Sequence, residues 1–277
     1  MSLSAVPSRA GKNYNNRIMS SRVYQTEAII IKKIKFGEAD RLLTLFTPGL
    51  GKMRAIAKGA MRPKSKLGGN VELLTHSLLM LARGRNLDII TQAQAINNFM
   101  PIRDNLELIS CGFYISELID TLTEENVEDH ELFDLLLNAL NDLAASMEGD
   151  RVLRYFELRL LDHLGYRPQV QKCANCGRDL LPEVNYFSPV QGGALCRECG
   201  YPDMSARMLS INALKVLRFW LQCDYATASR VKLNHELMKE LKALMRENVK
   251  FVLEKQLKSM DWLDELSDGN TKFCTPD

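Results

Sequence analysis

Apolar residues alternate with polar ones along the first third of the chain and recur every third or fourth position along most of the rest. Thr26–Lys33, Arg41–Phe46, Gly51–Lys58, Glu72–Leu81 and Leu87–Thr91 are short apolar or alternating runs. Turn signals separate them at Phe36-Gly37, Pro48-Gly49-Leu50-Gly51, Pro63 with Gly68-Gly69, and Arg83-Gly84-Arg85-Asn86. Five short strands with glycine turns predict a small closed β-barrel, for which the five-stranded OB-fold is the natural size match. After Pro101 the period changes to 3.6. The pattern predicts a helix from about Asn105 to Leu122, then stripes through Leu132, Leu135, Leu136, Ala139 and Leu143 and through Leu153, Phe156, Leu160 and Leu164. Gly149-Asp150 breaks between the latter two, with Asp150 as the expected N-cap, and Gly165-Tyr-Arg-Pro168 ends the third helix. Ser210 and Asn234 are expected to cap two further helices, carrying Ile211, Leu214, Leu217 and Leu221 and then Leu237, Leu241, Leu244 and Val252. Leucine stripes of this kind are core.

Four cysteines interrupt this pattern. Cys173-Ala-Asn-Cys176 and Cys196-Arg-Glu-Cys199 are paired C-x-x-C knuckles with the spacing of a closed structural zinc site. Gly177 and Gly200 follow directly and are expected to let backbone amides turn toward the sulfurs. Tyr186–Gly193 reads as a short strand and turn returning the chain to the second pair. Buried free thiols or two disulfides are the alternatives. Four thiolates leave no open coordination position, so one zinc ion here would hold structure and catalyse nothing. Cys111, Cys223 and Cys274 remain as free thiols, which points to a reducing compartment.

The expected organisation is thus α+β and multidomain. A disordered arm (1–22) precedes an OB-fold barrel (23–98) and a helical domain (99–168). A zinc-binding module (169–205), C-terminal helices (206–265) and a flexible tail (266–277) follow, so the helical bundle carries the four-cysteine module as an insertion. No apolar run is long enough to span a bilayer and no signal peptide is visible, so the expected location is the cytoplasm.

Charge changes the picture most. A formal net charge of +2 hides residues 22–100 at +8 and residues 101–277 at −9, and no acidic residue occurs from Arg41 to Val71. Segregation on this scale predicts that the N-terminal part attracts polyanions and the acidic helical part serves protein partners. Alternation puts Lys52, Arg54 and Lys58 on one strand face, opposite Met53, Ala55 and Ala57. Arg62, Lys64 and Lys66 extend the charge into a loop, and Lys32, Lys33, Lys35, Arg41, Arg83 and Arg85 add to the same surface if the barrel closes. A solvated strand face is the usual fate of a charge run, but the missing counter-charges favour a phosphate-tracking surface. Aromatic residues are sparse there, Phe36 and Phe46 only, so backbone contacts should outweigh base stacking.

No catalytic constellation is visible. His76, His130, His163 and His235 are scattered in strand or helix contexts and read as structural or surface residues. Pro48-Gly-Leu-Gly-Lys52 lacks the spacing of a phosphate-binding loop. Glu124-Glu125 and Glu128-Asp129 fall in an inter-helix loop, where solvated charge is the default. A zinc deaminase would need an H-x-E ligand motif, which is absent.

Several stretches together resemble the bacterial recombination mediator and DNA repair family RecO. They are Thr26–Lys32, Gly37-Glu-Ala-Asp-Arg-Leu-Leu-Thr-Leu-Phe46, Gly51–Ala60, Arg62-Pro-Lys-Ser-Lys-Leu-Gly-Gly69, Arg83–Asp88, Phe156–Leu161, Leu164-Gly-Tyr166, the four-cysteine module, Tyr186–Pro189 and Gly192-Gly193. The resemblance implies an OB-fold, a helical bundle and a zinc element. It also implies a non-enzymatic role: binding single- and double-stranded DNA, annealing complementary strands, and acting with RecR and RecF to load RecA onto strands coated by SSB. Two departures stand out: Ala82 occupies a position where family members often carry an aromatic, and the arm before Val23 has no family counterpart. Some relatives lack the cysteines, so the mediator role does not require zinc. An OB-fold with a zinc ribbon also suits an RNA- or ribosome-associated adaptor, whereas a zinc hydrolase conflicts with the closed four-cysteine site.

Overall fold

The structure, a computed structural model, describes residues 22–146 and 148–253. The expected arm up to residue 21, the tail, and the stretch of the C-terminal helices beyond residue 253 lie outside the described residues, as does Cys274.

Five strands form a closed barrel: β1 (Val23–Phe36), β2 (Asp40–Thr47), β3 (Gly51–Ala57), β4 (His76–Ala82) and β5 (Asp88–Asn97), in the order β1-β2-β3-β5-β4 and back to β1. All neighbours are antiparallel except β3 and β5, which pair parallel. This is the OB-fold topology that the strand count suggested. Alternation sends Ile30, Leu43, Leu45, Met53, Ala55 and Leu79 into the barrel, where all are buried. The strands run longer than the apolar runs at both ends of the barrel, because ladder hydrogen bonds continue through polar residues such as Gln92 and Gln94. In contrast, β4 starts late: a 3-10 turn at Gly68–Val71 and Leu74 at φ +63 occupy the preceding stretch.

The helices follow as α1 (Met100–Arg103), α2 (Leu106–Leu122), α3 (His130–Ser146) and α4 (Gly149–His163). Beyond the cysteine module come α6 (Ile211–Trp220), α7 (Tyr225–Ala228) and α8 (His235–Leu253), with α5 (Arg197–Gly200) inside it. Asn105 caps α2 by accepting from the Glu107 and Leu108 amides, and Ser210 and Asn234 accept from Ala213 and Leu237 in the same way. Asp150 is not a cap. Helix α4 begins one residue earlier, and the Asp150 carboxylate instead reaches Lys242 of α8 at 3.5 Å. Inside the bundle, Glu157 is fully buried, accepting from Tyr114 Oη at 2.6 Å and facing Arg154 at 3.0 Å. No described helix is long and apolar enough to cross a membrane.

Barrel and bundle share one apolar core. Ile29, Ile31 and Phe46 turn outward from the barrel and are buried among Leu118, Ile119 and Phe133. Arg103 fastens the seam, donating to the Leu73 carbonyl and to Thr75 Oγ1. His76, 6% exposed, sits there against Glu27 and edge-on to Phe133, a structural position. His163 pairs with Asp129 at 2.8 Å.

Candidate nucleic-acid interface and metal centre

The cations of the barrel fall into two groups that charge counting could not separate. One group is neutralised. Lys52 is buried: its Nζ donates to the Asp120 carbonyl at 2.6 Å and lies 3.8 Å from the Asp120 carboxylate, which also pairs with Lys32 at 2.8 Å. Arg54 meets Glu125 at 3.0 Å. Lys33 and Arg41 both hold Glu72. Burial works to raise the Glu72 carboxyl, and the two cations outweigh it, holding the group below the usual carboxylate range.

The local cause is the 123–128 loop, which docks on β3 rather than standing in solvent. The Asn126 amide donates to the Lys52 carbonyl at 2.8 Å. Gly51, at φ +61, is required beneath it, because a Cβ there would lie 1.8 Å from the Val127 carbonyl oxygen. Lys52, Arg54 and Lys58, expected to form one phosphate-tracking face, share that face, but only Lys58 of the three has no carboxylate partner among the described residues. The alternation is as expected, with Met53, Ala55 and Ala57 buried on the opposite side. However, counter-charges missing from residues 41–71 arrive from α2 and its following loop, far along the chain. Asp120 and Glu125 carried no local signal that could have marked them.

The second group gathers at one end of the barrel. Arg41 pairs with Ala57 and Lys35, and Ile56 pairs with Ile89, so the β1–β2 turn, the end of β3 and the β4–β5 turn are neighbours. The Met61 amide bonds the Ala39 carbonyl, drawing the 58–67 loop to the same end. Lys35, Lys58, Arg62, Lys64 and Lys66 are exposed there and have no ion-pair partner among the described residues. Arg83 and Arg85 are exposed on the β4–β5 turn, where the Arg83 guanidinium lies 5.2 Å over the Tyr24 ring. Acids are few at this end. Asp40 accepts from the Gly59 amide at 2.7 Å and Asp88 from Tyr24 Oη at 2.5 Å, leaving Glu38 at the turn.

The cysteines converge. The Sγ atoms of Cys173, Cys176, Cys196 and Cys199 all lie within 4.8 Å of one another, the Cys176 and Cys196 sulfurs 3.8 Å apart. A tetrahedral ion with metal–sulfur bonds of ~2.3 Å sets sulfur–sulfur edges of ~3.8 Å, so the four thiols fit a metal ion. A three-stranded sheet builds the frame: β6 (Asn185–Ser188) lies between β7 (Gly193–Leu195) and β8 (Arg207–Leu209). The first knuckle turns at Gly177, φ +73, whereas Gly200 makes room for the Tyr186 ring at 2.4 Å from its would-be Cβ.

Arg178 bonds the Cys176 sulfur through Nε at 3.3 Å, and it pairs with Glu198. Its hydrogen bond pulls the Cys176 thiol down to about 6. Cys199 is pushed up to about 12 by burial and then by its neighbouring thiols. Crowded thiolates resist losing the last proton unless a cation shares their charge, which is what a bound metal supplies. Neither Arg178 nor Glu198 was marked by cysteine spacing. Arg178→Ala is expected to weaken metal retention by ~10-fold or more, measured as transfer of bound metal to a competing chelator. Unchanged retention would reduce Arg178 to a surface residue.

A five-stranded OB barrel fused through a common core to a helical bundle with a four-thiol module defines a composite, modular class of protein. Comparison with known proteins gives the family. Residues 19–99 match the family model described as Recombination protein O N terminal, and residues 103–261 match Recombination protein O C terminal. A DNA repair protein RecO from Roseiflexus sp. is 43% identical over 248 residues, 90% of this chain and 87% of that protein. One from Dehalococcoides mccartyi is 41% identical over 247 residues, 89% of this chain and 97% of that protein. Another, from Desulforamulus reducens, is 33% identical over 249 residues. The chain belongs to the RecO family of DNA repair and recombination proteins.

Proposed function

We propose that this chain is a non-enzymatic recombination mediator that binds single- and double-stranded DNA through the cationic end of its barrel. It anneals complementary strands and acts with RecR and RecF to load RecA onto SSB-coated single strands, in the cytoplasm and at the nucleoid. The single observation that carries the reading is the cluster Lys35, Lys58, Arg62, Lys64, Lys66, Arg83 and Arg85, exposed at one barrel end with few acids near it. Such a surface screens phosphate repulsion between two strands and lowers the barrier to their encounter, so annealing needs no nucleotide. Lys32, Lys33, Arg41, Lys52 and Arg54 lend long-range field, but their near partners are protein carboxylates. The metal at the four cysteines is zinc, held for structure.

With about six phosphates neutralised, the logarithm of single-strand affinity should fall against log salt with a slope of about −4. The triple change Lys58→Glu, Arg62→Glu, Lys64→Glu lies wholly in exposed loop positions. It should abolish most binding, and with it ATP-independent annealing, while leaving thermal unfolding unchanged. Binding that ignores salt or survives this variant would move the site elsewhere. Tight preference for RNA over DNA of equal length would favour an RNA-associated adaptor instead.

A further inference from the structure

Between α3, α4 and the connection from α6 to α7 the bundle opens into a cleft of about 780 Å³. Its floor is apolar, made by Leu135 of α3, Val152 and Phe156 of α4 and Leu221 after α6. Its rim is acidic: Glu131, Asp134 and Asp142 stand on α3, and Asp224 caps α7. Arg159 also lines the cleft but is already committed, donating to the Leu221 carbonyl at 3.1 Å and lying 3.6 Å from Asp162. Asp134 and Asp142 have no ion-pair partner among the described residues. Burial, and then the neighbouring Asp224, push the Asp142 carboxyl up to about 6. These acids repel one another, and an incoming cation relieves that repulsion.

Phosphates are turned away by such a rim. A cationic segment carrying an apolar side chain is what the cleft accommodates. This chain presents one. On the 58–67 loop, Lys58, Arg62, Lys64 and Lys66 are exposed without ion-pair partners among the described residues, and Met61 stands 40% exposed in their midst. An unbranched, polarizable methionine suits an irregular apolar gap. The loop is tied to its own barrel by the bond from the Met61 amide to the Ala39 carbonyl at 2.9 Å, so it meets the cleft from a second molecule. Long-range charge favours the same encounter, with residues 22–100 at +8 and residues 101–277 at −9.

We infer that the cleft beside α3 and α4 seats the 58–67 loop of a second copy of this chain, with Met61 on the apolar floor and Lys58, Arg62 and Lys64 against the acidic rim. The contact joins two different surfaces of one chain, so it is heterologous. Its cations are those proposed above to hold phosphates, and a second copy and DNA therefore exclude each other. Self-association covers the DNA-binding end until nucleic acid displaces it. The contact itself does not depend on the DNA-binding reading; the competition does.

Sedimentation velocity on the full chain, over a series of protein concentrations at low and high salt, tests this. Wild type should self-associate at low salt and dissociate as salt screens the pairing. The loop variant Lys58→Glu, Arg62→Glu, Lys64→Glu and the cleft variant Glu131→Lys, Asp134→Lys change exposed positions only, and each should weaken self-association by ~100-fold or more. Mixing these two variants should restore association, because each keeps the surface that the other lacks. Met61→Ser should weaken it with every cation in place. An oligothymidylate should dissociate the wild-type assembly, and the cleft variant should bind that strand at least as tightly as wild type. Wild type that stays monomeric at low salt, mixed variants that stay monomeric, or Met61→Ser protein that associates normally would overturn the inference. So would a strand that joins the assembly without dissociating it. Self-association without any DNA binding would sink the proposed function and leave this contact standing, whereas DNA binding by a chain monomeric at every salt concentration would do the reverse.

Discussion

Lys52→Glu is expected to lower the midpoint of thermal unfolding by about 10 °C. The substitution places a carboxylate where the Lys52 ammonium now donates to the Asp120 carbonyl and faces the Asp120 carboxylate, on a side chain only 10% exposed. Breaking a buried pair and leaving like charges costs about 3–5 kcal/mol, and in a chain of this size each kcal/mol lowers the midpoint by about 2–4 °C. Removing both charges, with Lys52→Met and Asp120→Asn together, should restore most of the loss, because neither partner is then left buried alone. Scanning calorimetry on the two variants measures this. Should Lys52→Glu unfold at the wild-type temperature and lose DNA binding, Lys52 would be a solvent-facing phosphate contact and the docked-loop geometry would be refuted. The same seam bars the simplest dissection of the protein: an isolated barrel would expose Ile29, Ile31 and Phe46 to water.

The second large effect concerns the metal. Cys173→Ser should abolish stoichiometric metal, measured by elemental analysis of freshly purified protein, and collapse residues 169–209 locally. Three short strands and one helical turn cannot bury a core of their own, whereas a structural zinc ion contributes about 10–16 kcal/mol of binding free energy in small modules. Hydrogen exchange should accelerate across the module. The barrel strands should stay protected and single-strand affinity unchanged, since the exposed cations lie on the barrel. Wild-type protein that carries no metal would sink the assignment, and a variant that lost DNA binding would tie the module to the interface.

Periodicity and spacing were enough for the architecture. The period-two runs placed Ile30, Leu45, Met53 and Ala55 inside a barrel, the period-3.6 stripes placed Leu136, Leu143, Phe156 and Leu160 in a bundle, and the doubled C-x-x-C put four thiols together. Each of these is a local property: a strand or helix face is fixed by residues two to four apart, and two thiolates three residues apart share one ion wherever the chain goes. The strand ends and the start of α4 were less legible, because ladder pairing and packing, not propensity, set them.

What only the tertiary structure decided is which cations face water. Lys52 and Lys58 look alike in sequence, yet one is sealed under the carbonyl of Asp120 and the other is exposed. The difference comes from Asp120 on α2 and Glu125 on the loop that follows it, which packs on β3 over Gly51. In the same way, Phe36 and Phe46 are both aromatics on β-strand faces. Burial of Phe46 against α-helices and exposure of Phe36 beside Ile34 followed from where the bundle docks. Charge and hydrophobicity are summed along the chain, but pairing and burial depend on contacts between residues far apart in it, and that is why the sequence assigned the basic charge to a domain without separating paired cations from exposed ones.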